Sequence, residues 1–245
     1  MKKKLECVAL ERCCGPYRNP WFLVPKKSRV YHLINTAQRL NTVTIKDASL
    51  PPSADEFSEE FAGFPLLSLL DLFSGYDQWE LNLSTWDMTG FQTPLGLLRM
   101  TALPQGYMNE IQVFDWVMKK ILKDQIATGR GKPFIDDVAV KPASCSMFLD
   151  ENGVPEEVAL GIRKFVLKAI ISVDRVLADI DRAGEMILGA KSEFLIEKLK
   201  VMVYICGSDE RTPENTKVQR IMNWLACQAM TEIKAFIGLC VYYRV

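Results

Sequence analysis

Three aspartates sit at or beside runs that read as β-strand, and their types and spacing are where chemistry could arise. Asp136 and Asp137 stand side by side in KPFIDDVAV (132–140), between Phe134-Ile135 and Val138-Ala139-Val140. Asp71 lies near the end of PLLSLLDLF (65–73), an otherwise nearly continuous apolar run. Ionised carboxylates are costly to remove from water, so strand-flanked aspartates need solvent or a cationic partner. One reading of Asp136-Asp137 is an ordinary solvated hairpin turn, where Asp is common. The other joins the pair to Asp71. Neighbouring strands lie about 4.8 Å apart, so their carboxylates can share two cations about 3.5–4 Å apart, the clamp used by polymerases and nucleases. Mg2+ suits such a site, because it takes hard oxygen ligands and is commonly held by one or two carboxylates plus substrate phosphates.

Positioning these residues requires a particular order of elements. WFLVP (21–25) and VYHLI (30–34) read as two strands joined by a polar KKSR turn. The run at 65–73 reads as a central strand buried on both faces, and LRMTAL (98–103) as another strand. A helix is predicted from Asn109, a plausible N-cap, to about Ile126, with Ile111, Phe114, Met118, Ile121 and Ile126 near helical spacing. The FIDDVAV hairpin follows, then a surface insertion over 141–158. A second helix is predicted over roughly 158–183, with Val166, Ile170, Val173, Leu177 and Ile180 on one face. VMVYIC (201–206) is strand-like, and Thr212-Pro213 offers a cap and first-turn proline for a last helix. Two helices on one face of an antiparallel sheet form an α+β layer close to the ferredoxin-like arrangement.

Composition narrows the classes. The 245 residues carry 30 basic and 30 acidic side chains, so any nucleic-acid surface must be a local patch. Clusters such as Lys26-Lys27 with Arg29, or Lys119-Lys120 with Lys123, are candidates, though each alone also fits a solvated face. The single histidine, His32, removes His-rich zinc sites and leaves any His-dependent triad resting on one residue. Seven cysteines without a CxxC pair suggest reduced thiols in an intracellular protein. No apolar run approaches the roughly 20 residues of a membrane span, and MKKKLECVALERCC lacks a signal-peptide h-region. The expectation is an intracellular protein with no membrane partner, nucleus and cytosol equally open, oligomeric state undetermined.

Over residues 17–245 the chain resembles reverse transcriptases of gypsy-type LTR retrotransposons, especially those of fungal genomes. The likeness rests on ordered blocks: PYRNPWFLVPKK, RLNTVTIKDASLPP, LLDLFSGYDQ, GFQTPLGLLRMTALPQG, PFIDD, AGEMILGAKSEF and FIGLCVYYR. It implies a right-hand polymerase palm with partial fingers and the start of a thumb, divided at about 1–64, 65–208 and 209–245. It implies that Asp71, Asp136 and the backbone oxygen of Leu72 hold two Mg2+ ions (Mn2+ as substitute), with Asp137 in support. Tyr76 matches the aromatic gate that excludes a 2′-OH, the group separating ribo- from deoxynucleotides. Gln105 and Gly106 match the nucleotide and template pocket, Lys26 and Lys27 the fingers lysines near the triphosphate, and Lys191 the lysine that protonates departing pyrophosphate, where an ordinary surface lysine is the competing reading. VMVYIC resembles the hairpin that grips the primer end.

The implied function is RNA-directed DNA polymerisation on an RNA or DNA template with primer and dNTPs. Departures are local: His32 stands where an arginine is usual, Thr36 and Gln38 replace charged residues, Asn109-Glu110-Ile111 replaces an Asn-Ser/Ala-Pro run, and Val203 replaces a glycine. The family's fingers begin upstream of residue 17 and its thumb continues past FIGLCVYYR, so the chain reads as truncated. The alternative is a retroelement remnant that binds nucleic acid or a partner without polymerising. An unrelated Mg2+ phosphotransferase on a similar scaffold is a third.

Overall fold

Leu67 and Leu70 are almost wholly buried because the strand they belong to, β4 (Leu67–Asp71), is covered on both faces, and Leu72, which follows it, is buried as well. The computed structural model describes residues 2–25, 31–49, 53–73, 75–145, 147–202 and 204–242. Lys26, Lys27 and the rest of the expected KKSR turn, together with Val203, lie outside the described residues. Four antiparallel strands form the central sheet in the order β11-β4-β8-β7, where β7 is Gly131–Phe134, β8 is Asp137–Val140 and β11 is Glu193–Ile196. Between them run α4 (Glu110–Ile121), α5 (Lys123–Ala127) and α6 (Lys164–Arg182). The path β4–α4/α5–β7–β8–α6–β11 is the ferredoxin-like split βαβ unit, as the order of apolar runs predicts.

Alternation along β4 and β8 sorts the core into two layers. Leu70, Leu72, Val138 and Val140 face the helices and meet Phe114 and Met118 of α4 with Val173, Val176 and Ile180 of α6. Leu67 and Ala139 face the other way. There they meet Phe57 of α3 (Ala54–Glu59), Phe61, and Leu199, Val201, Tyr204 and Cys206 of the hairpin β12 (Lys198–Val201) and β13 (Tyr204–Gly207). Burying a leucine such as Leu70 contributes roughly 1.5–3 kcal/mol.

The remaining strands form smaller sheets. β1 (Leu10–Arg12), β6 (Gly96–Met100) and β5 (Phe91–Thr93) make one, and β2 (Trp21–Pro25) pairs with β3 (Tyr31–Asn35) as the sequence predicts. Leu10, Leu33, Phe91, Leu98 and Met100 form their shared core. The short helices α1 (Lys2–Glu6) and α2 (Gln38–Val43) flank this region. At the other end, α7 (Asn215–Met222) and α8 (Met230–Tyr242) are adjacent, with Trp224 and Phe236 rings 5.6 Å apart.

Several boundaries differ from the sequence expectation. The first long helix breaks at Leu122 into α4 and α5. The second starts at Lys164 rather than near 158, because β9 (Glu157–Ala159) and β10 (Ile162–Arg163) form a small hairpin around Gly161 at φ +76°. The buried face of α6 is also offset: Phe165, Ala169 and Val176 are buried, while Ile170 is exposed. VMVYIC is a hairpin end rather than a single strand, with Val201 opposite Tyr204. Thr212 and Pro213 belong to edge strand β14 (Arg211–Pro213), and α7 is entered from Glu214 instead. Among the described residues no helix is long and apolar enough to cross a membrane.

Candidate active site

Asp71 and Asp137 are register partners on β4 and β8. The Leu72 N–H donates to the Asp136 carbonyl at 3.0 Å, while the Asp71 N–H and carbonyl turn the other way, toward Ser192 and Leu188. Asp71 and Asp137 therefore form a non-hydrogen-bonded pair, the kind in which Cα atoms approach to about 4.5 Å and side chains lie closest. Both fall on the face opposite the helices, in phase with Leu67 and Ala139. The N–H and C=O of a strand residue point the same way, so the Leu72 carbonyl also faces the hairpin.

Phe134 pairs with Asp137, leaving Ile135 and Asp136 as a two-residue turn. Ile135 has φ +51° and Asp136 is not in the positive-φ region, the arrangement of a II′ turn. That first position favours glycine, and a β-branched residue there is strained. Ile135 is held by lying against the helix-side core. The turn leaves Asp136 exposed at the tip and Asp137 half-buried. Burial raises the Asp137 carboxyl to about pH 6, with further increases from Asp71 and Asp136 and an opposing effect of Lys191.

Residues 186–192 wrap the end of β4. Leu188 N–H donates to the Asp71 carbonyl at 2.7 Å, Phe73 N–H to the Met186 carbonyl at 2.8 Å, and Asp71 N–H to Ser192 Oγ at 3.1 Å. The Ser192 hydroxyl in turn donates to the Leu188 carbonyl. This loop delivers Lys191, whose Nζ is 3.0 Å from Asp71 Oδ2. Gln78 closes the other side, its amide donating to Phe73 O and accepting from Met186 N–H.

Beyond the tip lies a second wall. Tyr76 is 7% exposed and its ring centroid is 4.9 Å from that of Phe114. Its hydroxyl is raised well above the ordinary phenol range by burial, then by Asp136 and Glu110. Glu110, at the start of α4, accepts the Gly106 N–H. Its carboxyl is raised by burial and by Asp136, while the Gly106 and Tyr107 amides oppose that shift. Gln105 is half-buried beside Gly106, in the turn leading to α4.

Asp71, Leu72, Asp136, Asp137 and Lys191 are thus brought together, with Tyr76 beside them and Gln105 and Gly106 linked through Glu110. The Asp71 and Asp136 carboxylates both bear on Asp137, with the Lys191 ammonium opposing them, a repulsion that a divalent cation would relieve. Among the described residues no group of three His, Cys, Asp or Glu side chains converges as a ready-made ligand set, and Asp71 is engaged by Lys191. In the sequence Ser192 carries no signal of this contact, Glu110 stands out only within the Asn109-Glu110-Ile111 run, and Asn109 reads as a helix cap. Asn109 occupies the N-cap position without a side-chain cap bond. Its side chain instead accepts from Asp47 N–H and donates to Ile45 O.

No protein-family model matches the chain. It is 27% identical over 238 residues to the retrovirus-related Pol polyprotein from transposon opus of Drosophila melanogaster, covering 94% of this chain and 21% of that protein. To the corresponding polyprotein from transposon gypsy of the same fly it is 25% identical over 240 residues, again 94% and 21%. The foamy viral protease-reverse transcriptase in complex with dsDNA superposes with a TM-score of 0.81 at 16% identity, covering 99% of this chain and 46% of that one. The chain spans about a fifth of the length of the curated relatives. Its homologues are retrotransposon Pol polyproteins, and its fold is that of a reverse transcriptase.

Proposed function

We propose that this reverse transcriptase-related domain, homologous to retrotransposon Pol polyproteins, polymerises DNA on an RNA or DNA template by adding dNMP units to a primer 3′-OH. The opposition of Asp71 and Asp137 beside the Asp136 tip is the observation that carries the reading. Residues 1–64 then serve as partial fingers, 65–208 as palm and 209–245 as the start of a thumb.

Asp71, Asp136 and the Leu72 carbonyl would hold two Mg2+ ions, with Asp137 supporting the charge behind them. Bound there, the ions would lower the pKa of the primer hydroxyl and stabilise the leaving pyrophosphate. Lys191, which pairs with Asp71, would give a proton to that leaving group. The Tyr76 ring forms the wall that leaves no space for a 2′-OH, and Gln105 and Gly106 line the pocket for the incoming nucleotide. Lys26 and Lys27 are assigned to its triphosphate. The β12–β13 hairpin, on the same face as the carboxylates, is positioned to steady the primer end. The protein's contribution is mainly positioning and fixed charge.

Primer extension on an RNA template with Mg2+ and dNTPs tests this. The wild type extends, and Asp136→Asn loses activity by at least about 100-fold. Failure of the folded wild type to extend at any salt concentration, with Mn2+ as well as Mg2+, overturns the reading.

A further inference from the structure

The turn carrying Gln105 and Gly106 is held by side chains from two directions. Gly106 has φ +105°, and a β-carbon on it would come within 2.3 Å of the Asn35 carbonyl oxygen, so the turn is pressed against the end of β3. Asn41 Nδ2 donates to the Gly106 carbonyl at 2.9 Å, and Asn41 Oδ1 accepts the Met108 N–H at 2.9 Å. Asn109 ties the same turn to Ile45 and Asp47. The other end of the Gly106 residue, its N–H, is taken by Glu110.

Glu110 holds the turn through a charged side chain, whereas Asp47 joins the network through its backbone N–H, and the Glu110 charge lies within reach of Asp136 and Tyr76. A carboxylate among other carboxylates is an electrostatic burden. Its compensation is geometric, because a charged acceptor holds backbone N–H groups more firmly than a neutral one. Any displacement of Gly106 carries Gln105 with it, and small misplacements of a binding group are costly.

We infer that Glu110 is a positioning residue for the nucleotide pocket, fixing the Gln105–Gly106 turn by accepting its backbone N–H while Asn41 holds its carbonyl. The inference rests on the nucleotide-pocket reading of Gln105 and Gly106. Glu110 need not touch the nucleotide. It sets where the neighbouring turn stands relative to Asp136 and Tyr76, and links that turn to residues 35–47.

The test compares wild type, Glu110→Ala and Glu110→Gln on poly(rA)·oligo(dT) with dTTP and Mg2+. Three quantities are read: amide hydrogen exchange at Gly106 and Tyr107, dTTP binding by tryptophan fluorescence, and the KM and kcat of extension. Glu110→Ala should speed exchange at Gly106 and weaken dTTP binding and KM about tenfold, with kcat within about twofold. Glu110→Gln, which keeps an acceptor, should restore most of the binding. Unchanged exchange and KM in the Ala variant overturn the inference, as does an equal loss in Ala and Gln. If the wild type binds dTTP but does not extend, and binding still falls in Ala and recovers in Gln, the polymerase reading fails and the positioning role stands. If the wild type does not bind dTTP, both fall.

Discussion

Asp71 and Asp137 face each other across a non-hydrogen-bonded pair of antiparallel strands, so two like charges occupy the closest side-chain positions the sheet offers. The folded Asp137 carboxyl sits near pH 6, above its ordinary value of 3.8. A folded pKa above the unfolded one gives stability that is full below about pH 4 and lost as pH rises through 6. Asp137→Asn should therefore raise stability by about 1 kcal/mol at pH 8, after discounting for partial exposure, and by little at pH 4. Urea titrations at the two pH values measure this, and an equal change at both would contradict it.

Lys191 and Asp71 are coupled, but Lys191 is largely exposed, so its removal should cost the fold little. Lys191→Ala is expected to leave the urea midpoint within about 0.5 kcal/mol and to lower kcat roughly 10²-fold, the usual contribution of a general acid. A Lys191→Ala variant that extends primers at the wild-type rate would leave it an ordinary surface lysine.

Ile135 presents two opposed effects. Its φ of +51° costs a β-branched residue about 1–2 kcal/mol, while its side chain gains from contact with the helix-side core. Ile135→Gly should be close to neutral, because relief of strain offsets lost contact. Ile135→Ala, which loses contact and keeps much of the strain, should destabilise by about 1–2 kcal/mol. Equal effects from the two substitutions would show that the turn carries no strain.

Glu185 is 8% exposed, and one of its carboxylate oxygens is buried with no hydrogen-bond partner. Burial raises its pKa to about 7, so its stabilising contribution is full below 4.5 and falls as pH rises through 7. Glu185→Gln should flatten the stability profile between pH 5 and 8. Chemical denaturation across that range decides it, and a slope unchanged in the mutant would assign the pH dependence elsewhere.

Much of this arrangement was legible in the residues. The run around Asp71 announced a doubly covered strand, FIDDVAV announced the hairpin, and their order announced the βαββαβ path. Element ends were less legible, because local signals are ambiguous where tertiary contacts decide. Leu160-Gly161 turns a hairpin where apolar periodicity alone continued a helix, and Thr212-Pro213, a sound cap signal, is claimed by edge pairing with β13. The Glu110 and Ser192 contacts were hidden for a different reason. Each is a long-range or turn-specific bond to backbone, and no residue type or spacing encodes which amide a side chain will find.

The two-residue period of β4 and β8 also bears on how this sequence tolerates change. One residue inserted or deleted within 67–71 or 137–140 would exchange the two faces. Asp71 or Asp137 would be driven among Phe114, Val173 and Val176, while leucines and valines took the place of the carboxylates. The same length change in the β9–β10 hairpin, where Leu160 is fully exposed, would displace nothing in either core layer. Lineages of this chain should accumulate substitutions throughout both regions but gain and lose residues only in the second.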